Sequence, residues 1–117
     1  MKKLIFIFLS LSIFTLTSSN AALYKGQRIF AKVCMKCHKD GEEFVSGIKK
    51  RTWKKYMKKK GKRLANLHLK SDKFKAEKKY KKYKKYFKSK KYTKKTKHLR
   101  QFVIEYAKDS GNVPACN

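Results

Sequence analysis

Two cysteines and a histidine lie close together near the start of the chain, in the order Cys34-Met35-Lys36-Cys37-His38. Cysteines three residues apart suit three chemistries, namely half of a zinc site, a redox dithiol, and thioether attachment of a haem. A zinc site needs a second pair of ligands, but no second cysteine pair of this spacing and no paired histidines follow. A thioredoxin-like dithiol needs a surrounding βαβ pattern, which the sequence does not show.

The histidine directly after the second cysteine favours haem. On one helical turn, the thiols of Cys34 and Cys37 can reach the two vinyl groups of a haem and form thioethers. His38 is then aimed at the iron as the proximal ligand. The motif therefore predicts one covalently attached haem c, held by Cys34 and Cys37 and ligated by His38. A dithiol in an export compartment is the main alternative.

The first 21 residues have the three-part pattern of a secretory signal peptide. Lys2 and Lys3 are followed by an uncharged apolar run of thirteen residues, Leu4 to Leu16, and Ser19 and Ala21 occupy the −3 and −1 positions of a cleavage site. The run is shorter than the ~20 residues of a membrane-spanning helix. We therefore expect cleavage after about Ala21 and a periplasmic location, with an uncleaved anchor as the alternative. Thioether attachment of haem takes place outside the cytoplasm, so the two predictions support each other.

The chain is strongly basic, with 34 Lys and Arg against seven Asp and Glu in 117 residues and a formal charge of +27. Removal of the signal peptide with its two lysines lowers the charge to +25. Such a charge ordinarily indicates nucleic acid, but an exported protein has little access to it, so we expect no nucleic-acid partner. The basic surface instead predicts docking of acidic redox partner proteins, with an anionic membrane surface as a second target.

Helical patterns lie near both ends of the chain, one just before the haem motif and one close to the C-terminus. Gly26 and Phe30 precede the motif on a stretch that reads as a short amphipathic helix. An apolar helix face near the other end is formed by Leu99, Phe102, Val103 and Tyr106. With these flanks and the ending 106–117, the sequence resembles the class I cytochromes c, and more closely the small lysine-rich periplasmic monohaem cytochromes of epsilon-type proteobacteria. The resemblance covers the two ends of the chain well and residues 49–95 poorly.

The resemblance implies an all-α fold, a small cytochrome c-like bundle of short helices around one covalently attached haem. In that family the N-terminal helix crosses the C-terminal helix. Carried over to this chain, Gly26 is the close crossing point, and Phe30 packs against Phe102 or Tyr106.

The chain divides into a signal peptide (1–21), a haem domain (22–110) and an extended C-terminal tail (111–117). Helical spacing predicts helices near 24–36, 49–60, 62–70, 73–90 and 97–108, with no strands. We expect Ser71 to cap the fourth helix and Thr93 or Thr96 to cap the last. Fourteen lysines lie between residues 73 and 97. Among them, the fourth helix carries a largely aromatic stripe, which is formed by Ala76, Tyr80, Tyr83 and Phe87.

The distal ligand of the iron is the open question in the sequence. A class I cytochrome usually supplies a methionine from a downstream loop. The mature chain has only Met35, inside the motif, and Met57, in a segment that reads as a helix. We expect His68, on an apolar helical face, to be the distal ligand, with Met57, His98 and an open position as alternatives. A histidine ligand favours a lower reduction potential than a methionine.

Three further residues are considered for a role at the haem or in assembly. Trp53 and Arg51 are candidates for contacts with the haem propionates, with core packing as the alternative for Trp53. Cys116 is left over once the haem motif has used the other two cysteines, and a free tail thiol, an intermolecular disulfide and a ligand are the alternatives for it. Without that disulfide we expect a monomer, because a charge of +25 opposes close self-association.

The function that these features predict is electron transfer by a periplasmic monohaem c-type cytochrome, a carrier and not an enzyme. One rival is a haem peroxidase or small-ligand-binding haem protein with an open sixth position. A second rival is an exported cationic protein without haem that binds membranes or polyanions.

Overall fold

A computed structural model of the chain describes residues 18–113, with side chains from residue 21 onward. The described residues form helices and turns and contain no strand, so the all-α prediction is confirmed. The helices are α1 (Ser18–Val33), α2 (Glu42–Ser46), α3 (Lys50–Tyr56), α4 (Lys58–Lys70), α5 (Asp72–Lys75), α6 (Tyr80–Phe87) and α7 (Lys90–Glu105), with a 3₁₀ turn (Cys34–Lys36) after α1. None of these helices combines the length and apolarity that a membrane span requires. Residues 1–17 of the predicted signal peptide and Cys116 lie outside the described residues.

Helices α1 and α7 cross closely at Gly26. A Cβ added at Gly26 would lie 2.1 Å from the carbonyl oxygen of His98 and 2.6 Å from the Cβ of Phe102, so a larger residue would force the helices apart. One turn further along α1, the ring centres of Phe30 and Phe102 are 5.7 Å apart. The crossing point and the aromatic contact that the resemblance implies are therefore both present.

The hydrophobic core lies around this crossing. Its buried side chains are Phe30, Val45, Trp53, Met57, Leu99, Phe102, Val103 and Ala107. Three of the four residues of the predicted apolar face of α7 belong to this core, and the fourth, Tyr106, packs on Phe102 with ring centres 5.3 Å apart. The core fixes the end of α1, from which the cysteine motif continues.

The middle of the chain departs from the prediction of one long helix over 73–90. Two helices, α5 and α6, occupy this stretch, and a turn at 76–79 separates them. Ala76 lies in that turn and is exposed, so it does not belong to the aromatic stripe. Lysines at helical spacing repel one another by a few tenths of a kcal/mol per pair, which weakens a long helix here.

The start of the last helix also differs from the prediction. Ser89 caps α7 by accepting a hydrogen bond from the backbone N–H of Tyr92 at 3.2 Å, so the helix begins at Lys90 instead of residue 97. Thr93 and Thr96 lie inside α7, where their hydroxyls donate to backbone carbonyls of the preceding turn, so neither caps the helix. The predicted cap at Ser71 is confirmed, because its hydroxyl accepts from the N–H of Phe74 at 3.3 Å.

Two local features were not expected from the sequence. Glu42 and Glu43 open the short helix α2, which lies between the predicted helices 24–36 and 49–60, and acidic residues stabilise the first turn of a helix. The first turn of α4 is not regular helix. Its residues Lys59, Lys60 and Gly61 have left-handed backbone, with φ of 52°, 55° and 73°. Glycine adopts this conformation freely, whereas each lysine pays about 1 kcal/mol. This turn separates α3 from the regular part of α4, which carries His68.

Candidate haem-binding cavity

A cavity of about 340 Å³ opens between the helices, next to the hydrophobic core. Its lining is largely aromatic, with rings contributed by Phe44, Trp53, Tyr56, Phe74, Tyr83, Tyr86, Phe87 and Tyr92. The residues with metal-binding or covalent chemistry in the lining are Cys34, Cys37, His38 and His68. Cofactor sites are typically cavities of about 300–1,000 Å³ that are mostly apolar and contain a few polar groups, and this cavity has that character.

The cysteine motif reaches the cavity through the 3₁₀ turn that follows α1. The backbone N–H groups of Cys37 and His38 both donate to the carbonyl of Cys34, at 3.2 and 2.9 Å. These two bonds hold the motif in a single tight turn, so that both thiols and the imidazole line the same cavity. Cys34 is half-buried and Cys37 is exposed.

The electrostatics of Cys34 differ from those of a redox dithiol. Burial raises the pKa of the Cys34 thiol to about 12, and the neighbouring Cys37 adds to the shift. A thiol–disulfide catalyst needs the opposite change, because its attacking cysteine works as a thiolate with a lowered pKa. At neutral pH Cys34 is therefore a neutral thiol facing an apolar cavity.

His38 lies against an aromatic wall. Its ring stacks on Phe44, with centres 4.0 Å apart and planes inclined by 21°. Burial lowers the pKa of His38, and electrostatic interactions with His68 and Lys73 lower it further, whereas Asp40 opposes them. This shift favours the neutral imidazole, which is the form that binds a metal.

His68 is oriented by its own helix and by two rings. Its Nδ1 donates to the backbone carbonyl of Leu64 at 2.8 Å, because a carbonyl can only accept. This bond fixes the tautomer and leaves Nε2 as the nitrogen with a free lone pair, which is the usual arrangement of a metal-binding histidine. Phe87 stacks on the ring at 4.9 Å and Phe74 meets it edge-on at 5.4 Å.

The two histidines of the cavity have a spacing that suits one iron between them. The ring centres of His38 and His68 are 6.1 Å apart, and their planes are perpendicular at 89°. Two imidazoles at this separation lie close enough to ligate one metal ion, since each metal–nitrogen bond would be about 2 Å long. The donor set of the cavity, two thiols and two imidazoles, therefore fits a haem c with two histidine ligands.

The alternative distal ligands lie elsewhere. Met57 is 2% exposed and packs in the hydrophobic core, and it does not line the cavity. His98 lies on α7 beside a different cleft, where burial together with Lys25 and Lys97 lowers its pKa. Among the three residues that the sequence left open, only His68 is brought to the cavity.

The two residues predicted to contact propionates are placed differently from that prediction. The indole N–H of Trp53 donates to the backbone carbonyl of Val45 at 3.1 Å, and the side chain is 3% exposed. Its only donor is therefore already used, and Trp53 packs in the core and forms part of the cavity wall. Arg51 is exposed and faces a separate surface depression near Asp109. We therefore assign neither residue to a propionate.

A Trp53→Phe variant should accordingly lose stability and keep its redox behaviour. The Val45 carbonyl would remain buried without its donor, which costs about 1–3 kcal/mol of the free energy of unfolding. Urea unfolding measures this loss, and a potentiometric titration should give the wild-type reduction potential. A shifted potential with unchanged stability would show instead that the indole acts on the cofactor.

Two ring contacts at the histidines were not singled out from the sequence. Phe44 stacks on His38, and Phe74 packs edge-on against His68. A signal for Phe74 does exist, because it is the single apolar side chain of α5 and lies between two lysines. A lone apolar residue in such a run must face the interior for its helix to be held in place.

Comparisons of the chain with family models, with curated proteins and with solved structures give no match.

Proposed function

We propose that this protein is a periplasmic electron carrier, a monohaem c-type cytochrome that passes single electrons between redox partners. The observation that supports this most strongly is the convergence of Cys34, Cys37, His38 and His68 on one aromatic cavity. The motif lies in the 3₁₀ turn and the residues directly after it, whereas His68 comes from α4, so the sequence spacing of the motif alone does not account for the position of His68.

In this proposal each residue of the cavity has a defined task. Cys34 and Cys37 would hold the cofactor covalently through thioethers, and the imidazoles of His38 and His68 would ligate the iron. When bound, the haem supplies a one-electron change between Fe(III) and Fe(II). Because the chain would supply two imidazoles to the iron, no iron position would stay open for a substrate, which favours a carrier over a peroxidase.

The cavity wall serves electron transfer by excluding water. Aromatic rings from α1, α2, α3, α5, α6 and α7 line the cavity that the two histidines share. An apolar shell of this kind limits solvent access and is one of the levers on a cofactor's reduction potential. Two histidine ligands favour a potential lower than that of a histidine–methionine pair.

A redox titration of the purified protein tests the proposal. Absorbance followed against potential should give one reversible transition with the slope of a one-electron process. The ferric protein should show a six-coordinate low-spin spectrum and negligible turnover of hydrogen peroxide. A high-spin ferric spectrum with rapid peroxide turnover would support the peroxidase instead.

A further inference from the structure

Eight positively charged side chains converge on a second cleft, of about 610 Å³, which we call the basic cleft. Four of them come from α1 and the turn after it, namely Lys25, Arg28, Lys32 and Lys36. Four come from the turn before α6, from α6 and from α7, namely Lys79, Lys82, Lys91 and Lys95. All eight are exposed, and no Asp or Glu is among the described residues that line the cleft.

Helical spacing explains why these charges share one cleft. Lys25, Arg28 and Lys32 recur at intervals of three and four residues, so they occupy one face of α1. Lys91 and Lys95 share a face of α7 in the same way. A concave surface lined by one sign of charge focuses its field and raises the local concentration of oppositely charged partners. Most lysines of the segment 73–97 do not face the cleft, so this site is more specific than a basic surface in general.

The floor of the basic cleft is apolar and adjoins the haem-binding cavity. Ile29, Val33, Tyr83 and Tyr86 lie between the charged side chains. Three of these four, all except Ile29, also line the haem-binding cavity. The basic cleft and the cavity are therefore separated by one layer of side chains.

We propose that the basic cleft is the docking site for an acidic polypeptide segment of a redox partner protein, and that electrons cross the shared wall at Tyr83 and Tyr86. The redox part of this inference rests on the proposed function. In the transfer, one electron leaves the reduced centre of the partner and converts the ferric haem of this protein to the ferrous form. No bond forms or breaks in this step, and no proton is transferred.

The shape and the lining favour a polypeptide over a membrane. A lipid bilayer presents a flat surface, whereas the basic cleft is concave and buries its apolar floor between charged walls. An apolar centre with a polar, charged rim is the usual anatomy of a protein–protein interface. An extended acidic segment can place carboxylates on the lysines and apolar side chains on the floor.

Two charge-reversal variants of the mature haem protein separate this site from total charge. The cleft variant is Lys82→Glu with Lys91→Glu, and the control is Lys58→Glu with Lys94→Glu. The control lysines are exposed on another face, which they share with Thr93 and Arg100. Each variant replaces two lysines with two glutamates, so both change the net charge by the same amount. The probes are fluorescently labelled poly-L-glutamate, followed by anisotropy, and hexacyanoferrate, followed by the rate of electron exchange.

We expect the cleft variant to bind poly-L-glutamate about tenfold more weakly and to exchange electrons with hexacyanoferrate about tenfold more slowly, within the range of electrostatic steering. The control should change by less than about threefold, since its two lysines do not line the cleft and exposed charges are screened over about 8 Å at physiological salt. Equal losses in both variants, or an unchanged rate in the cleft variant, would overturn the proposal. Cleft-dependent binding of phosphatidylglycerol vesicles without binding of poly-L-glutamate would assign the site to a membrane.

The outcome for the basic cleft is distinguishable from that of the proposed function. Binding of poly-L-glutamate is measured without any redox step, so it reads the cleft directly. A loss of cleft-dependent binding would contradict the docking site without affecting the one-electron titration. A failed titration would contradict the proposed function without affecting the binding result.

Discussion

Replacing Cys34 and Cys37 together with serine is expected to leave the chain without haem and without stable tertiary structure. The haem-binding cavity measures about 340 Å³. At about 24 cal/mol per Å³, a cavity of that volume left empty costs about 8 kcal/mol. Small domains are stable by only about 5–15 kcal/mol, so this cost consumes most or all of the folding free energy. The aromatic side chains of α5 and α6 that line the cavity would then face an empty space.

Near-ultraviolet circular dichroism and urea unfolding of the exported chain measure this effect. The wild-type protein should unfold cooperatively, whereas the double variant should show no near-ultraviolet signal and no cooperative transition. A Cys116→Ser variant is the matched control, since that cysteine lies outside the haem motif, and it should retain both the haem and the transition. Native-like tertiary signals in a colourless double variant would contradict the expectation.

Replacing His68 with alanine is expected to open the distal side of the iron. The ferric spectrum should change from six-coordinate low-spin to high-spin, and external ligands such as cyanide should bind. A protein whose open form is about 1% populated binds an external ligand about a hundredfold more weakly than its open variant does. Cyanide titration of the two proteins therefore should show an increase in affinity of about that size.

Two matched variants distinguish this role from a general disturbance. His98→Ala and Met57→Leu change the other two residues that the sequence offered, and neither of these lines the cavity. Both should keep the low-spin spectrum of the wild-type protein. Added imidazole should restore that spectrum in His68→Ala by filling the vacated position. An unchanged spectrum in His68→Ala, or its loss in His98→Ala, would show that the distal ligand is another residue.

The ends of the chain could be predicted from sequence because their geometry demands particular residue types. Close helix crossing requires a residue without a Cβ, and Gly26 lies one helical turn before Phe30, which packs against α7. The apolar spacing of Leu99, Phe102 and Val103 identifies the buried face of that helix directly. The cysteine motif is likewise a local pattern, and the structure holds it in one turn.

The middle of the chain could not be predicted in the same way. Lysines and aromatic residues alternate there with a spacing that one long helix satisfies as well as two short ones. The outcome depends on which hydroxyl caps the next helix, and Ser89 and Thr93 are both good N-cap residues. Ser89 bonds the N–H of Tyr92, whose own hydroxyl donates to the carbonyl of Gly61 at 2.6 Å. That second contact joins residues 31 positions apart and is invisible to local patterns.

In the functional site, too, the local motif could be predicted from sequence, whereas the contacts that depend on helix packing could not. The choice among His68, Met57 and His98 depends on how α4 and α7 pack, which spacing along the sequence does not report. The role of Trp53 depends on a hydrogen bond to Val45, eight residues away in the preceding helix. The basic cleft likewise arises only when three helices bring their lysine-bearing faces together.

The haem content of the exported chain tests the central claim most directly. The protein is produced in a host that matures c-type cytochromes, and its intact mass and pyridine haemochrome spectrum are recorded. We predict one haem per chain, still attached after denaturation, on a polypeptide that begins at about Ala22. A colourless chain in which Cys34 and Cys37 are both alkylated as free thiols would contradict the account.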